Sequence, residues 1–226
     1  MYISSPVRKR AVLIGGAAAP ALALVIAIFG CGSVTDTTGG LPGGRATIAQ
    51  VQRGRYLVLA VGCGDCHNRG KIDPSDPKWL AGYLPGTPGQ PFQIGPFVTY
   101  PKNLTPDSTT GIGSISDRRI FNALRFGLDP DESPDAVITG TTPGQGNFPV
   151  DPVYLGPPMP WPAFRHFTDG DIWSIVAYIK HGIVAVANAV PDSTSPPDHW
   201  ASNYTAAIIG PYPTPPYPQS NETFTP

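Results

Sequence analysis

The chain has 226 residues and a formal net charge of −1, with 14% charged residues, 26 glycines and 29 prolines. The near-zero net charge gives a nucleic-acid partner no electrostatic support. Gly and Pro together are about twice as frequent as in an average globular protein, which excludes a chain that is regular throughout and predicts long loops around a smaller ordered part.

The N-terminus is typical of a protein that leaves the cytoplasm. A basic cluster at 8–10 precedes an apolar run at 11–29, so residues 1–30 are predicted to be an export signal or a retained membrane anchor. The sequence Ile28–Cys31 resembles the bacterial lipoprotein box, and Cys31 is therefore the predicted lipidation site; the alternative is an unmodified thiol at the end of an anchor. Both alternatives predict a protein of the bacterial cell envelope, anchored to a membrane and facing the periplasm or the cell exterior.

The first helix is predicted from a capping box. Residues 31–45 are rich in Gly and Thr and are expected to form a flexible tether. Thr47–Gln50 has the T-x-x-Q form of a capping box. The helical face that follows consists of Val51, Gly54, Val58 and Val61. Gly54 costs a helix about 1 kcal/mol relative to Ala, so a second helix is expected to cross there. The first helix is predicted to continue directly into Cys63.

Residues 63–67 form the motif Cys-Gly-Asp-Cys-His. Two cysteines separated by two residues and followed directly by histidine are the pattern that attaches c-type haem. Cys63 and Cys66 would each form a thioether to a haem vinyl group, and His67 would be the proximal iron ligand. The alternatives are a thiol–disulfide pair and half of a zinc site, but the sequence offers neither a βαβ setting nor a second Cys or His pair. We therefore predict one covalent haem c.

Residues 69–115 show no sustained hydrophobic periodicity and contain many prolines and glycines. A loop of this length is uncommon in a compact domain unless it has a special role. Here the loop is expected to pack against the haem through its aromatic residues, which are Trp79, Tyr83, Phe92, Phe97 and Tyr100.

A second helix is predicted between Ser116, its N-cap, and Gly127, its C-terminal stop. Its buried stripe consists of Ile120, Phe121 and Leu124. The loop that follows, 128–158, begins with the carboxylates Asp129, Asp131, Glu132 and Asp135. Such a cluster can bind Ca²⁺, but the spacing of an EF-hand is absent, and a solvated acidic loop is the preferred interpretation.

The last helix is predicted to begin at Thr168, with Asp171 completing a T-x-x-D box. Its apolar face consists of Ile172, Ile175, Val176 and Ile179. Lys180 and His181 are expected to complement the negative end of the helix dipole. The rings of Trp173 and Tyr178 are the candidates for packing on Gly54.

The C-terminal residues 191–226 are rich in proline and aromatic residues and cannot form a core of their own. Two interpretations are open. The tail is either an arm that lies along a partner subunit or a disordered extension.

The candidate for the sixth iron ligand is Met159. It is the only methionine apart from the initiator, and it stands between prolines in a stretch whose backbone has little freedom to lose. The alternatives are Met159 as a filler of the core and His166 as the ligand, which would give a bis-His haem of lower potential. His181 is better explained as a helix-end cation and His199 as a tail residue.

Several stretches between 46 and 182 together resemble class I cytochrome c, in particular the single-haem domains of bacterial membrane-bound cytochrome c subunits that serve alcohol and sugar dehydrogenases. The stretches are Gly54–Leu57, Pro101–Asp107, Thr110–Gly113, Ala123–Gly127, Met159–Phe164, Asp169–Asp171 and Ala177–Tyr178. Those subunits often carry three such domains, whereas this chain has one haem motif, and residues 128–158 and the tail are additions to the pattern.

This resemblance implies an all-α fold in which the N- and C-terminal helices cross at Gly54 around a haem with one exposed edge. The fold would occupy 46–190, with long irregular loops and a Pro-rich C-terminal extension. The resemblance also implies ligation by His67 and Met159, and it implies that Asn103 and Thr105 lie near the porphyrin or its propionates.

The predicted function is one-electron transfer between redox proteins outside the cytoplasm by a membrane-tethered protein that is not itself an enzyme. Its expected partners are redox proteins or a membrane oxidoreductase complex. One alternative is a haem-relay and structural subunit of a larger respiratory or photosynthetic complex. Another is a haem peroxidase or gas-binding protein, which would require an open sixth position on the iron.

Overall fold

The computed structural model of the protein describes residues 45–225. The signal or anchor predicted at 1–30, the lipidation site Cys31 and nearly all of the 31–45 tether lie outside the described residues. Within 45–225, no helix is both long enough and apolar enough to cross a membrane.

Helix α1 spans Ile48–Ala60 and begins with the predicted capping box. The Gln50 amide N–H donates to Thr47 Oγ1 (3.2 Å), and the Thr47 amide N–H donates to Gln50 Oε1 (2.9 Å). The expected continuation of this helix into Cys63 is wrong. Gly62 has φ +71°, in the left-handed region that favours glycine, and it separates α1 from a short second helix, α2, at Cys63–His67.

The last long helix, α5 (Asp169–His181), crosses α1 at Gly54. Its N-cap is Thr168, as predicted. A Cβ atom on Gly54 would lie 1.8 Å from the carbonyl oxygen of Ser174 and 2.8 Å from the Cβ of Tyr178. The two helices therefore meet at their backbones. Of the two residues predicted here, Tyr178 approaches Gly54 through its Cβ atom, whereas Trp173 packs on the ring of Phe121 (centroids 4.6 Å apart).

Helix α3 spans Asp117–Phe126, with the predicted N-cap Ser116 and a left-handed Gly127 at its end. Its buried residues include the predicted stripe of Ile120, Phe121 and Leu124. Helices α1, α3 and α5 enclose the main hydrophobic core. The buried loop residues Trp79 and Leu80 also belong to it.

The loop between α2 and α3 contains a hairpin that sequence reasoning missed. Strand β1 (Phe92–Ile94) pairs antiparallel with β2 (Phe97–Thr99), and Ile94 lies opposite Phe97. Each strand has only three residues, which is too short for a period-two pattern to stand out between the surrounding prolines and glycines.

The 128–158 loop is more ordered than the predicted solvated acidic loop. It contributes to a second hydrophobic cluster made of Phe126, Leu128, Ile138 and Phe148, with Tyr154 and Tyr212 packed against it. Asp131, Glu132 and Asp135 are exposed as predicted, but Asp129 is half-buried, and burial raises its pKa. Within residues 45–225, no group of three or more His, Cys, Asp or Glu side chains could hold a metal ion.

The chain then forms helix α4 (Trp161–Phe164) before α5 and, in the tail, a 3-10 helix at Ala201–Asn203 and helix α6 at Ala206–Ile209. The interpretation of the tail as a disordered extension is wrong for residues 198–212, whereas an arm along a partner subunit stays a prediction. Trp200 is 4% exposed and packs edge-on against Phe97, and the Tyr204 hydroxyl donates to the carbonyl of Leu155 (2.9 Å). From 213 to 225 every residue is exposed.

Candidate haem site

The cysteine motif occupies helix α2, whose single turn places Cys63 and Cys66 on the same side of the helix. Both are free and half-buried. Gly64 faces the protein, because a Cβ atom there would lie 2.4 Å from the carbonyl oxygen of Lys71 and 2.9 Å from the ring of Trp79. The motif is thus pressed into the loop that follows it, and the small residue between the cysteines is required by this contact.

The surroundings of the two thiols oppose thiolate chemistry. Burial raises the pKa of Cys63 to about 12. Burial, with the charge of Asp65 as the second cause, also raises the pKa of Cys66. A raised pKa disfavours a thiol–disulfide pair, whose attacking thiol has a lowered pKa. A zinc ion would itself deprotonate its thiol ligands, but within residues 45–225 the two cysteines have no further His, Cys, Asp or Glu side chain with which to form a group of three that could hold it. An uncharged thioether to haem suits the buried environment.

His67 is held in one tautomer by a hydrogen bond to the backbone. Its Nδ1 lies 2.7 Å from the carbonyl oxygen of Lys102. A carbonyl oxygen only accepts, so Nδ1 carries the proton. Burial lowers the pKa of the ring, which keeps the imidazole neutral. Nε2 then has a free lone pair, the condition that a histidine must meet to bind iron.

Two segments of the loop after α2, at 80–82 and 102–104, hold His67 and the Lys102 carbonyl in position. The amide N–H of Gly82 donates to the carbonyl of His67 (2.8 Å), and that of Leu104 donates to the carbonyl of Leu80 (2.9 Å). Gly82 has φ +83°, and a Cβ atom there would lie 2.7 Å from the carbonyl carbon of Lys102. A side chain at Gly82 would displace the acceptor of the His67 hydrogen bond.

Met159 is half-buried and packs at the edge of the main core, as does Cys63. Its amide N–H donates to the carbonyl of Gly156, and its own carbonyl accepts from the amide of Trp161, both at 2.9 Å. The Trp161 ring lies over Gly127, where a Cβ atom would come within 2.1 Å of it. The Met159 backbone is therefore held on both sides, which fits a ligand loop better than a filler inside the core.

The alternative histidine ligand has other partners. His166 is exposed, its Nδ1 is hydrogen-bonded with the Thr214 hydroxyl, and its Nε2 lies 3.4 Å from Nε of Arg165. His181 and His199 are exposed as well. His166 thus has hydrogen-bond partners on both ring nitrogens, whereas the Met159 sulfur has none among the described residues.

Asn103 and Thr105 are buried, but their side chains are occupied within the protein. Asn103 Oδ1 accepts from the amide and the hydroxyl of Thr105 (2.9 and 2.8 Å), and Asn103 Nδ2 donates to the carbonyl of Val186 (2.8 Å). The Thr105 hydroxyl also accepts from the amide of Val186 (3.1 Å). A contact of either side chain with haem stays a prediction.

Sequence reasoning missed several residues that support the motif. The Lys102 carbonyl carries no side-chain signal at all. Gln90 Nε2 donates to the carbonyl of Cys66 (2.8 Å), and Trp79 Nε1 donates to the buried hydroxyl of Tyr178 (3.0 Å). The ammonium of Lys180 donates to the carbonyls of three loop residues between 112 and 115. It therefore stabilises that loop rather than the end of its own helix.

Comparison with known proteins gives relatives that include cytochrome subunits of several dehydrogenases. No protein-family model matches the chain. The chain is 30% identical over 175 residues to the gluconate 2-dehydrogenase cytochrome c subunit of Pantoea cypripedii, covering 77% of this chain and 31% of that protein. It is 30% identical over 147 residues to the fructose dehydrogenase cytochrome subunit of Gluconobacter japonicus (65% and 24%). It is 29% identical over 206 residues to the cytochrome c subunit of the quinone alcohol dehydrogenase of Gluconobacter oxydans (87% and 34%).

The chain spans about a quarter to a third of the length of these curated relatives. All three are named as cytochrome subunits of dehydrogenases. The resemblance stated from the sequence is confirmed at that level. The names also agree with the prediction of an electron-transfer subunit rather than an enzyme.

Proposed function

We propose that this protein is a c-type cytochrome that transfers single electrons through one covalently bound haem. Cys63 and Cys66 would hold the haem through thioethers, and His67 and Met159 would ligate its iron. The observation that carries the proposal is the hydrogen bond from His67 Nδ1 to the Lys102 carbonyl. This hydrogen bond leaves Nε2 of His67 deprotonated, and His67 directly follows Cys66 in the cysteine motif.

When bound, the haem supplies the ferric/ferrous couple that accepts and releases one electron. The chain supplies fixed ligands, because hydrogen bonds hold the backbone on both sides of Met159 and the ring of His67. Fixed ligands keep the geometry similar in the two oxidation states. A thioether ligand and a dry pocket both favour ferrous iron, so the reduction potential is expected to be higher than that of a bis-His haem.

The crossing of α1 and α5 at Gly54 supports a class I cytochrome c fold for residues 46–190, with the hairpin and the ordered tail as additions. We further propose that the protein is exported and tethered to the membrane through the 1–30 segment or a lipid on Cys31. There it would serve a membrane oxidoreductase complex, as the names of the relatives suggest. Fatty-acid labelling of Cys31 and fractionation of cells test this placement.

The proposed function is tested by a potentiometric titration of the isolated protein with absorption spectra. A low-spin c-type spectrum and a single one-electron wave are expected. Met159→Ala should open the sixth position, lower the midpoint potential and allow the reduced protein to bind carbon monoxide. His166→Ala is the matched control and should retain the wild-type spectrum. If Met159→Ala keeps the low-spin spectrum while His166→Ala loses it, the iron is ligated by His166 and the proposed ligand pair is wrong.

A further inference from the structure

After α5, the chain returns across the loops that surround His67. Residues 186–194, which we name the strap, contain no helix or strand and are held to those loops by side-chain hydrogen bonds. Asn188 takes part in four of them, and its carbonyl is the acceptor in one (3.4 Å from Asn103 Nδ2). Its Nδ2 donates to the carbonyls of Ala81 (2.6 Å) and Tyr83 (3.0 Å), and its amide N–H donates to the Thr110 hydroxyl (2.9 Å).

The strap also contacts both sides of Lys102. On the C-terminal side, Val186 exchanges hydrogen bonds with the side chains of Asn103 and Thr105. On the N-terminal side, the Ser193 hydroxyl accepts from the amide of Tyr100 (3.0 Å). The Lys102 ammonium itself donates to the carbonyl of Pro191 (3.0 Å).

These contacts converge on the two hydrogen bonds that His67 makes. Asn188 bonds the carbonyls of Ala81 and Tyr83, the two neighbours of Gly82, whose amide donates to the carbonyl of His67. The backbone of Gly82 in turn packs on Lys102, the residue whose carbonyl accepts from His67 Nδ1. Asn188 therefore fixes the 81–83 segment, on which the position of the His67 ring depends.

We propose that Asn188 is a positioning residue for the proximal ligand: through the 81–83 loop it holds the Lys102 carbonyl in place and so sets how strongly His67 donates electrons to the iron. This inference rests on the proposed function. A strong Nδ1–H···O=C bond makes the imidazole more basic and favours ferric iron, and a weakened bond favours ferrous iron. Loss of the Asn188 side chain should therefore raise the midpoint potential.

The test compares Asn188→Ala with Asn203→Ala in the full-length, haem-loaded protein. Asn203 is the matched control, since it is an exposed asparagine of the same C-terminal region and its side chain makes no hydrogen bond within residues 45–225. Asn188→Ala should keep the low-spin c-type spectrum, shift the midpoint potential upward and increase amide hydrogen exchange at 102–105. Asn203→Ala should change neither the potential nor the exchange. Asn188→Ser, which retains one donor, should give a smaller upward shift.

An Asn188→Ala protein with an intact spectrum and an unshifted or lowered potential would overturn the inference and leave the proposed function standing. If Asn188→Ala does not attach haem, the potential of Asn188→Ser decides by the same criterion. Failure of the proposed function looks different, because the wild-type protein itself would then lack a c-type spectrum.

Discussion

The ion pair between Arg69 and Asp76 fixes the turn that follows the cysteine motif. Arg69 has φ +60°, and its guanidinium donates to Oδ2 of Asp76 (2.6 Å) and to Oδ1 of the fully buried Asn68 (2.9 Å). The other carboxylate oxygen of Asp76 accepts from the amide of Lys78 (2.8 Å). The Asp76 carboxylate thus joins Arg69 to Lys78. This turn places the Lys71 carbonyl and the Trp79 ring against Gly64.

Asp76→Asn should lower the free energy of unfolding at neutral pH by about 1.5–3 kcal/mol, the usual contribution of a hydrogen bond to a charged group. The amide of Lys78, followed by the guanidinium of Arg69, lowers the pKa of Asp76 below its ordinary 3.8. Because the folded-state pKa lies below the unfolded one, this stabilisation is complete above pH 3.8 and is lost as the pH falls through the folded-state pKa. Denaturant titrations between pH 7 and pH 2.5 should show the difference from wild type disappearing in that window.

Asp151→Asn provides the control, because Asp151 is exposed and makes no hydrogen bond or ion pair within residues 45–225. Its free energy of unfolding should follow wild type at every pH. A difference between Asp76→Asn and wild type that persisted unchanged to pH 2.5 would contradict the role assigned to the carboxylate.

At the scale of elements, the crossing of α1 and α5 depends on the absence of a side chain at Gly54. Gly54→Ala gains up to about 1 kcal/mol of helix propensity. The new Cβ would, however, meet the Ser174 carbonyl oxygen at 1.8 Å, and a backbone atom in the middle of a helix cannot move aside alone. We expect a net loss of about 1–3 kcal/mol in the free energy of unfolding, measured by chemical denaturation followed by far-ultraviolet circular dichroism.

The same helix pair offers a matched substitution. At Gly170, in the first turn of α5, the nearest atom to a new Cβ would be the Thr168 hydroxyl at 3.9 Å. Gly170→Ala should therefore leave the free energy of unfolding unchanged or raise it by up to about 1 kcal/mol. If both alanine variants had the same stability, close packing at Gly54 would not explain the glycine.

Local signals were sufficient to predict the three long helices, because their N-caps Thr47, Ser116 and Thr168 each satisfy amides of the first turn from within four residues of sequence. The break between α1 and α2 was not predictable in this way. Gly62 resembles any other glycine in the sequence, and only its left-handed backbone reveals the turn. The acceptor of the His67 proton was also hidden, since a backbone carbonyl has no signature in the sequence.

At the scale of the whole molecule, the tail completes structure that the rest of the chain begins. Arg165 is 5% exposed, and its guanidinium donates to the carbonyls of Ile209 and Gly210. The ring of Tyr204 packs edge-on against that of Trp161, two residues after Met159. Such contacts join positions about forty residues apart, and a periodicity or capping argument concerns only neighbours. Composition therefore predicted an arm on a partner or a disordered extension, and it did not predict that the tail packs on its own chain.

Two truncations separate the packed part of the tail from the exposed part. A chain ending at Tyr212 loses the 213–225 stretch, in which every residue is exposed, so its free energy of unfolding should stay within about 0.5 kcal/mol of wild type. A chain ending at Pro197 keeps the strap but loses Trp200 and Tyr204 and leaves Arg165 without its carbonyl acceptors. Since removal of a buried Trp alone costs about 3–5 kcal/mol, we expect a loss of at least about 3 kcal/mol. Equal unfolding midpoints for the two truncated chains, measured by circular dichroism, would show that residues 198–212 do not stabilise the rest of the protein.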